Sequence, residues 1–264
     1  MTGRYHSLDA DIIKSNPAGR IGSQIIVYKS TSSTNDIAAE YAKGGKKNDG
    51  LVVFAEQQTA GRGRRANKWL SQSGKSILCS ILLCDSAIAP HIITIASAVA
   101  VAETFPRCGR AEAKIKWPND ILLNDRKVAG ILVEGITKAN QKFYVLGIGI
   151  NCHQKQEDFS DELASTATSI DIQSGVVCDR NQIAKRLLVN FEHYLTAALD
   201  NPADIVEKWQ SRSMLLGKRI TIEHNGEKFI GNCIGIEPTE GLIVQLERGG
   251  VRVFDAASTT ITKD

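Results

Sequence analysis

Residues 113–136 read AKIKWPNDILLNDRKVAGILVEGI, and this stretch decides the fold. Ala113, Ile115 and Trp117 alternate with Lys114 and Lys116, the period of a strand with one wet face. Pro118 cannot continue a central strand, so the chain turns and displays Asn119 and Asp120 at the strand end. Ile121–Leu123 and Val128–Ile136 flank Asn124 and Asp125, the pattern of a β-hairpin. Strands of this kind in a chain that also carries helical periods point to an α/β (α+β) domain.

Working outward, further strands are expected at Ile25–Tyr28, Leu51–Ala55, Ser76–Cys84 and Phe143–Ile150. In Ser76–Cys84 one face carries Ile77, Cys79, Ile81 and Leu83. Ser33-Thr34-Asn35-Asp36 is an N-terminal helix signature, and that helix should stop near Gly44-Gly45. Ala89–Phe105 reads as a buried helix, too short and too polar to span a membrane. Asn181–Leu199 carries Ile183, Leu187, Leu188, Phe191, Leu195 and Ala198 on one face, and Pro202 opens another helix that fades near Ser213. The first 20 residues suggest a short helix and then a loop at Pro17-Ala18-Gly19. After Gly217 the character changes to short strands and tight turns at His224–Glu227, Pro238–Gly241 and Arg248–Gly250, the pattern of a small all-β barrel. The expected domains are therefore 1–215 and 216–264.

The net charge of +3 over 264 residues does not by itself imply nucleic-acid binding. The N-terminus has no secretory pattern. The six cysteines, Cys79, Cys84, Cys108, Cys152, Cys178 and Cys233, form no CxxC pair, so reduced thiols in the cytoplasm are expected.

Charge is concentrated at GRGRRANKW, residues 61–69, inside a loop without apolar periodicity. Arg62, Arg64, Arg65 and Lys68 place four cations in eight residues. Gly61 and Gly63 let an anion approach the backbone, arginine forks match carboxylate and phosphate oxygens, and Trp69 offers a flat apolar surface. A basic loop that is merely solvated, or that touches RNA, fits these nine residues equally well. A P-loop is excluded because GxxxxGK[ST] is absent, and no GxGxxG opens a helix here. Lys127, at the start of an apolar strand, is either a snorkelling surface lysine or a cation held at the sheet. Gly130, Gly147 and Gly149 interrupt strands where a side chain would obstruct a flat ligand.

Taken in order, GRGRRANKW, KWPND (116–120), RKVAGILVE (126–134) and LGIGIN (146–151) resemble the catalytic domain of biotin–protein ligases, including holocarboxylase synthetases. Ser33-Thr34-Asn35 and Glu56-Gln57-Gln58 match as well, and the likeness runs from about Ile25 to the C-terminus. The resemblance implies a mixed β-sheet backed by helices with a small SH3-like C-terminal barrel. It implies formation of biotinyl-5′-AMP from biotin and ATP, with Mg²⁺, and transfer to a lysine of a biotin carboxyl carrier protein. The loop from Gly61 to Arg65 would close over the adenylate, with Arg62 and Arg64 toward the carboxylate and phosphate. Ser33, Thr34 and Gln58 would meet the biotin head, Asn35 would be a further binding residue, and Trp69 would pack on ligand. Asn119 and Asp120 would lie near the adenylate and the incoming lysine. Lys127 would be the central cation, and Gly130, Leu132, Gly147, Gly149 and Asn151 would line the pocket.

Two departures qualify the match. Many bacterial members have glycine and arginine where this chain has Ala66 and Asn67, so one phosphate-contacting arginine has no counterpart; Asn67 is similar to the eukaryotic enzymes. Only about 20 residues precede the pattern, too few for the winged helix-turn-helix of some members. The expectation is a monofunctional ligase without DNA or a membrane as partner, with homodimerisation left open. A lipoate or octanoate ligase, or a basic-loop nucleic-acid binder, is the competing reading.

Overall fold

The computed structural model describes residues 5–14, 19–84, 87–105, 112–138, 141–237, 240–256 and 258–262. The Pro17-Ala18 part of the expected N-terminal loop, Cys108, and Pro238-Thr239 of the expected turn lie outside them. In chain order the elements begin with α1 (Ala10–Ile13), β1 (Ile25–Tyr28), α2 (Thr34–Tyr41), β2 (Val52–Ala55), β3 (Ser76–Cys84) and α3 (Pro90–Thr104). Strands β4 (Lys114–Lys116), β5 (Asp120–Leu123), β6 (Arg126–Lys138) and β7 (Gln141–Asn151) follow. Helices α4 (Asp161–Ala164), α5 (Ile170–Ser174), α6 (Arg180–Asp200) and α7 (Pro202–Arg212) precede β8 (Arg219–His224), β9 (Glu227–Glu237), β10 (Gly241–Leu246), β11 (Val251–Phe254) and β12 (Thr259–Thr262).

The first seven strands form one sheet in the order β1-β2-β3-β7-β6-β5-β4. The β1–β2 pair is parallel and the remaining ladders are antiparallel, so the sheet is mixed as expected. Asn124 and Asp125 both take positive φ, 47° and 59°, and close the β5–β6 hairpin.

β3 is buried along its whole length, on both faces. Ile77, Cys79, Ile81 and Leu83 join the main core, whereas Leu82 and Cys84 join a second cluster with Ala38 and Ala42. Helices α3 and α6 cover the first face, with Phe191, Leu187 and Val99 fully buried. Each such apolar side chain contributes about 1.5–3 kcal/mol. Helix α2 covers only part of the second face. Gly147, Gly149 and Gly130 also lie on this face, and they form the floor of the site.

Arg180, at the start of α6, sends Nη1 to Glu56 Oε2 at 2.8 Å and to the Ser76 carbonyl at 3.0 Å. It thereby holds the end of β2 from which the glycine–arginine loop departs. The pair is buried, and breaking such a pair costs about 3–5 kcal/mol.

The C-terminal strands form a five-stranded antiparallel sheet in the order β11-β10-β9-β8-β12. Asn225 and Gly226, both at positive φ, make the expected hairpin between β8 and β9. This sheet is the unit expected as a small SH3-like barrel, and no ladder joins β11 to β12 among the described residues. The described cysteines Cys79, Cys84, Cys152, Cys178 and Cys233 are free thiols. No helix among the described residues is long and apolar enough to cross a membrane.

Candidate active site

A cavity of about 270 Å³ opens over the glycine floor. Gly130 on β6 and Gly149 on β7 are direct cross-strand partners. Neither has positive φ, so their lack of a side chain provides space and not backbone freedom. A Cβ at Gly149 would overlap the Trp69 indole, and one at Gly130 would come within 3.0 Å of it. A Cβ at Gly147 would likewise overlap the Asn35 amide. The sequence suggested that these glycines clear room for a flat ligand. In the structure the flat group on Gly130 and Gly149 is the chain's own Trp69, and Gly147 accommodates Asn35.

One end of the cavity is a chain of hydrogen bonds among neutral side chains that terminates on the Glu134 carboxylate. Gln58 Oε1 accepts from the Thr34 amide at 2.7 Å and from Thr34 Oγ1 at 3.0 Å. Ser80 Oγ lies 2.7 Å from Thr34 Oγ1 and donates to Asn35 Oδ1 at 2.5 Å. Asn35 Nδ2 donates to Glu134 Oε2 at 2.5 Å. Ser33, Thr34, Asn35 and Ser80 are all buried, so this end is fixed by the N-terminus of α2 and the middle of β3.

The loop's arginines differ in place and partner: Arg62 stands beside the Asn35–Glu134 pair, and Arg64 stands at the other, cationic end. Arg62 donates to both oxygens of Asp36 at 2.9 and 2.6 Å, with Glu134 3.6 Å away. Hydrogen bonding to Asp36 raises its pKa despite partial burial. Arg64 contacts only neutral oxygens here, Ala256 O at 2.5 Å and Asn119 Oδ1 at 3.4 Å. Burial, and then the neighbouring Arg65 guanidinium, lower its pKa. Among the described residues Arg64 is thus a desolvated cation without a carboxylate partner in hydrogen-bond range, the arrangement that favours an incoming anion. Arg65 turns away from the floor and donates to Thr260 Oγ1 and to the carbonyls of Thr259 and Ala256.

Lys127 completes this end. Its Nζ is 2.7 Å from Asp120 Oδ1 and 5.7 Å from the centroid of the Trp69 ring. A β-bulge delivers it there. Leu122 pairs with Lys127 while Ile121 pairs with Ala129, so Val128 is the extra residue. Without that bulge Lys127 would share the buried face of Ala129 and Ile131; with it, Lys127 stands beside Gly130. Asn119 is pinned to β6 by Nδ2 to Ile131 O at 2.6 Å.

A model of the Biotin/lipoate A/B protein ligase family matches residues 27–151. A bifunctional ligase/repressor of Bacillus spizizenii is 32% identical over 243 residues, 89% of this chain and 74% of that protein. A biotin–[acetyl-CoA-carboxylase] ligase of Mycobacterium tuberculosis is 32% identical over 252 residues, 92% of this chain and 91% of that protein. The chain belongs to the biotin protein ligase family. A solved biotin protein ligase from Aquifex aeolicus, in complex with biotin and ATP, shares the fold with a TM-score of 0.76 at 24% identity, covering 91% of this chain and 99% of that one.

Of the residues expected at a ligase site, two do not line the cavity. Gly61 lies under the loop, where a Cβ would come within 2.6 Å of the Trp69 carbonyl. Asn151 is buried, donating to Thr168 O at 3.0 Å and accepting from Gln154 Nε2 at 3.3 Å. The rest surround the cavity, joined by residues not singled out as site residues from the sequence: Ser80 in the hydrogen-bond chain, and Lys116 and Trp117 on the wall. Thr259, Thr260 and Ile261 of β12 also line it, and no local signal marked them.

Away from the cavity, the His153, Asp171 and Cys178 donor atoms lie within 4.8 Å of one another, residue types that can bind a metal. Here they satisfy each other. His153 Nδ1 is 2.8 Å from Asp171 Oδ2 and 3.9 Å from Cys178 Sγ, with the Tyr5 ring stacked at 4.0 Å. Burial lowers the His153 pKa, but hydrogen bonding to Asp171 and Cys178 outweighs it and raises the value to about 9. An unfolded histidine titrates near 6.5. This pair's stabilisation is therefore complete below about pH 6.5 and lost as pH rises through about 9. The loss is on the order of 3 kcal/mol. The unfolding temperature is expected to fall over that window, and His153→Gln to flatten the fall. An equally steep fall in the variant would remove His153 as its source.

Proposed function

We propose that the protein activates biotin with ATP as biotinyl-5′-AMP and transfers the biotinyl group to a lysine of a biotin carboxyl carrier protein in the cytoplasm. One observation carries this reading: the cavity has a hydrogen-bonding end at the neutral side chains of Thr34, Gln58 and Asn35 and a cationic end at Arg64 and Lys127. That polarity suits an acid with a ureido head and a carboxylate tail. The proposal includes neither nucleic acid nor a membrane as partner.

In the first step a biotin carboxylate oxygen attacks the α-phosphorus of ATP, and pyrophosphate leaves. Two anions must meet, and Arg64 and Lys127 offset their repulsion and stabilise charge on the phosphoryl oxygens. Arg62 joins them by exchanging its bond to Asp36 for one to the ligand. Magnesium is held mainly by substrate phosphates and one or two carboxylates, and Asp120 with Asn119 is a donor set that fits it. It would supply further charge neutralisation on the phosphates. In the second step the acceptor amine attacks the acyl carbon and AMP leaves. Asp120 accepts a hydrogen bond from that amine and takes its proton as the amide forms. The glycine–arginine loop keeps water from the mixed anhydride.

The direct test is pyrophosphate release from ATP with biotin, lipoate or octanoate supplied separately. Release with biotin alone is expected. Release only with lipoate or octanoate moves the chain to the lipoate side of its family. Release with none removes the adenylation reading. Asp120→Asn should slow transfer from preformed adenylate by about a hundredfold, more than it slows adenylation. Equal losses in the two steps would take the base assignment from Asp120.

A further inference from the structure

Arg65 of the glycine–arginine loop extends its guanidinium to the C-terminal sheet. It sits at φ 54° and ψ 43°, left-handed backbone that is strained for a residue with a side chain. Three acceptors hold it there: Thr260 Oγ1, Thr259 O at 2.6 Å and Ala256 O at 3.2 Å. Arg64 adds a fourth bond, to the same Ala256 carbonyl, 192 residues along the chain. The loop itself is closed by short bonds, Gly63 N to Asn67 O at 2.7 Å and Trp69 N to Gly61 O at 2.9 Å. Trp69, at its base, lies on the glycine floor. Beyond the loop, Thr259, Thr260 and Ile261 of β12 form a wall of the cavity.

We propose that Arg65 is a latch: a positioning residue that ties the glycine–arginine loop to β12, so that the C-terminal sheet governs how long the cavity stays shut over its reaction intermediate. A planar fork reaching three oxygens on one short segment fits this task, and a point charge such as lysine cannot span them. The loop and the β12 wall then move together. The consequence for the intermediate rests on the ligase reading above; the mechanical coupling does not.

Two measurements separate these parts. The first is amide hydrogen exchange across residues 61–69 in the full-length protein without added ligand. Arg65→Ala should speed exchange there about tenfold, as loss of a charge-assisted hydrogen-bond set implies. Thr260→Val should give a smaller effect of the same sign. The double variant should exchange no faster than Arg65→Ala alone, because both changes break one latch. Arg65→Lys should fall between parent and alanine. Parental exchange in Arg65→Ala, or fully additive effects in the double variant, would overturn the latch.

The second measurement follows biotin deposited on free amines of a bystander protein, which reports escape of adenylate. Arg65→Ala should raise it about tenfold per pyrophosphate released, whatever the variant's own adenylation rate. A loosened loop with parental escape would overturn the link to the intermediate while leaving the latch standing. A parent protein that releases no pyrophosphate with biotin would overturn both the ligase reading and that link, and the exchange data would still decide the latch.

Discussion

Lys127→Ala is expected to lower biotin-dependent pyrophosphate release by at least about a thousandfold while leaving the fold intact. The chemical half of this expectation rests on position. Lys127 Nζ stands at the cationic end of the cavity, beside Gly130, with its charge steered by Asp120 and the Trp69 ring. Charge develops on the phosphoryl oxygens in the transition state, and no carbon substituent offsets it. The structural half rests on exposure. The Lys127 and Asp120 side chains are 36% and 27% exposed, so their pair contributes about 0–1 kcal/mol to stability. The backbone of residue 127, which donates to Thr166 O at 2.7 Å and accepts from Thr168 N at 2.8 Å, is untouched by the change. Steady-state pyrophosphate assays, with circular dichroism and unfolding temperature alongside, check both halves. Near-parental turnover would remove Lys127 from the chemistry. A collapsed fold would show that the bulge needs the lysine side chain.

Arg64→Gly should leave adenylation measurable and release its product. Arg64 is half-buried, bonded only to the neutral oxygens of Asn119 and Ala256, and burial lowers its pKa. An anion placed beside it regains the interaction that burial took from the guanidinium. Losing a charge-assisted bond of that kind weakens retention by about 1.5–3 kcal/mol, roughly ten- to a hundredfold. The escaped mixed anhydride then acylates exposed lysines indiscriminately. Bystander labelling should rise by that factor, and Arg64→Lys should rise less. Unchanged labelling would assign retention to other loop residues. Arg62 provides the internal contrast, because its charge is already satisfied by Asp36. Arg62→Gly must therefore give up one ion pair before it forfeits a ligand contact.

Much of this was legible in the residue order. Strands β5 and β6 and their hairpin followed from the alternation around residues 113–136, and the long helix α6 followed from its apolar stripe. The loop cations, Asp120, Lys127 and the three strand glycines could be named because each breaks the local pattern of its element. For those glycines, which line the cavity, local pattern went only part of the way. It showed that space was required at Gly130, Gly149 and Gly147, but not that Trp69 and Asn35 are what fill it. Asn151 follows the glycine-broken strand as though it belonged to the pocket, and it turns instead to Thr168.

The sequence by itself determined which residue types exist to do chemistry, and which segments are strands, helices and loops. Those properties depend on neighbours within a few positions, through side-chain periodicity and turn chemistry. Three matters were decided only by the tertiary structure. The bulge at Val128 chose the face of Lys127, because strand register is set by partners across the sheet. Pairing distinguished Arg62 from Arg64, because Asp36 lies on α2 within reach of the first and not of the second. The C-terminal sheet became a wall of the cavity, because residues 256–261 meet the loop only once nearly 200 intervening residues have folded. Contacts across such separations carry no local periodicity, so no reading along the chain could have placed them.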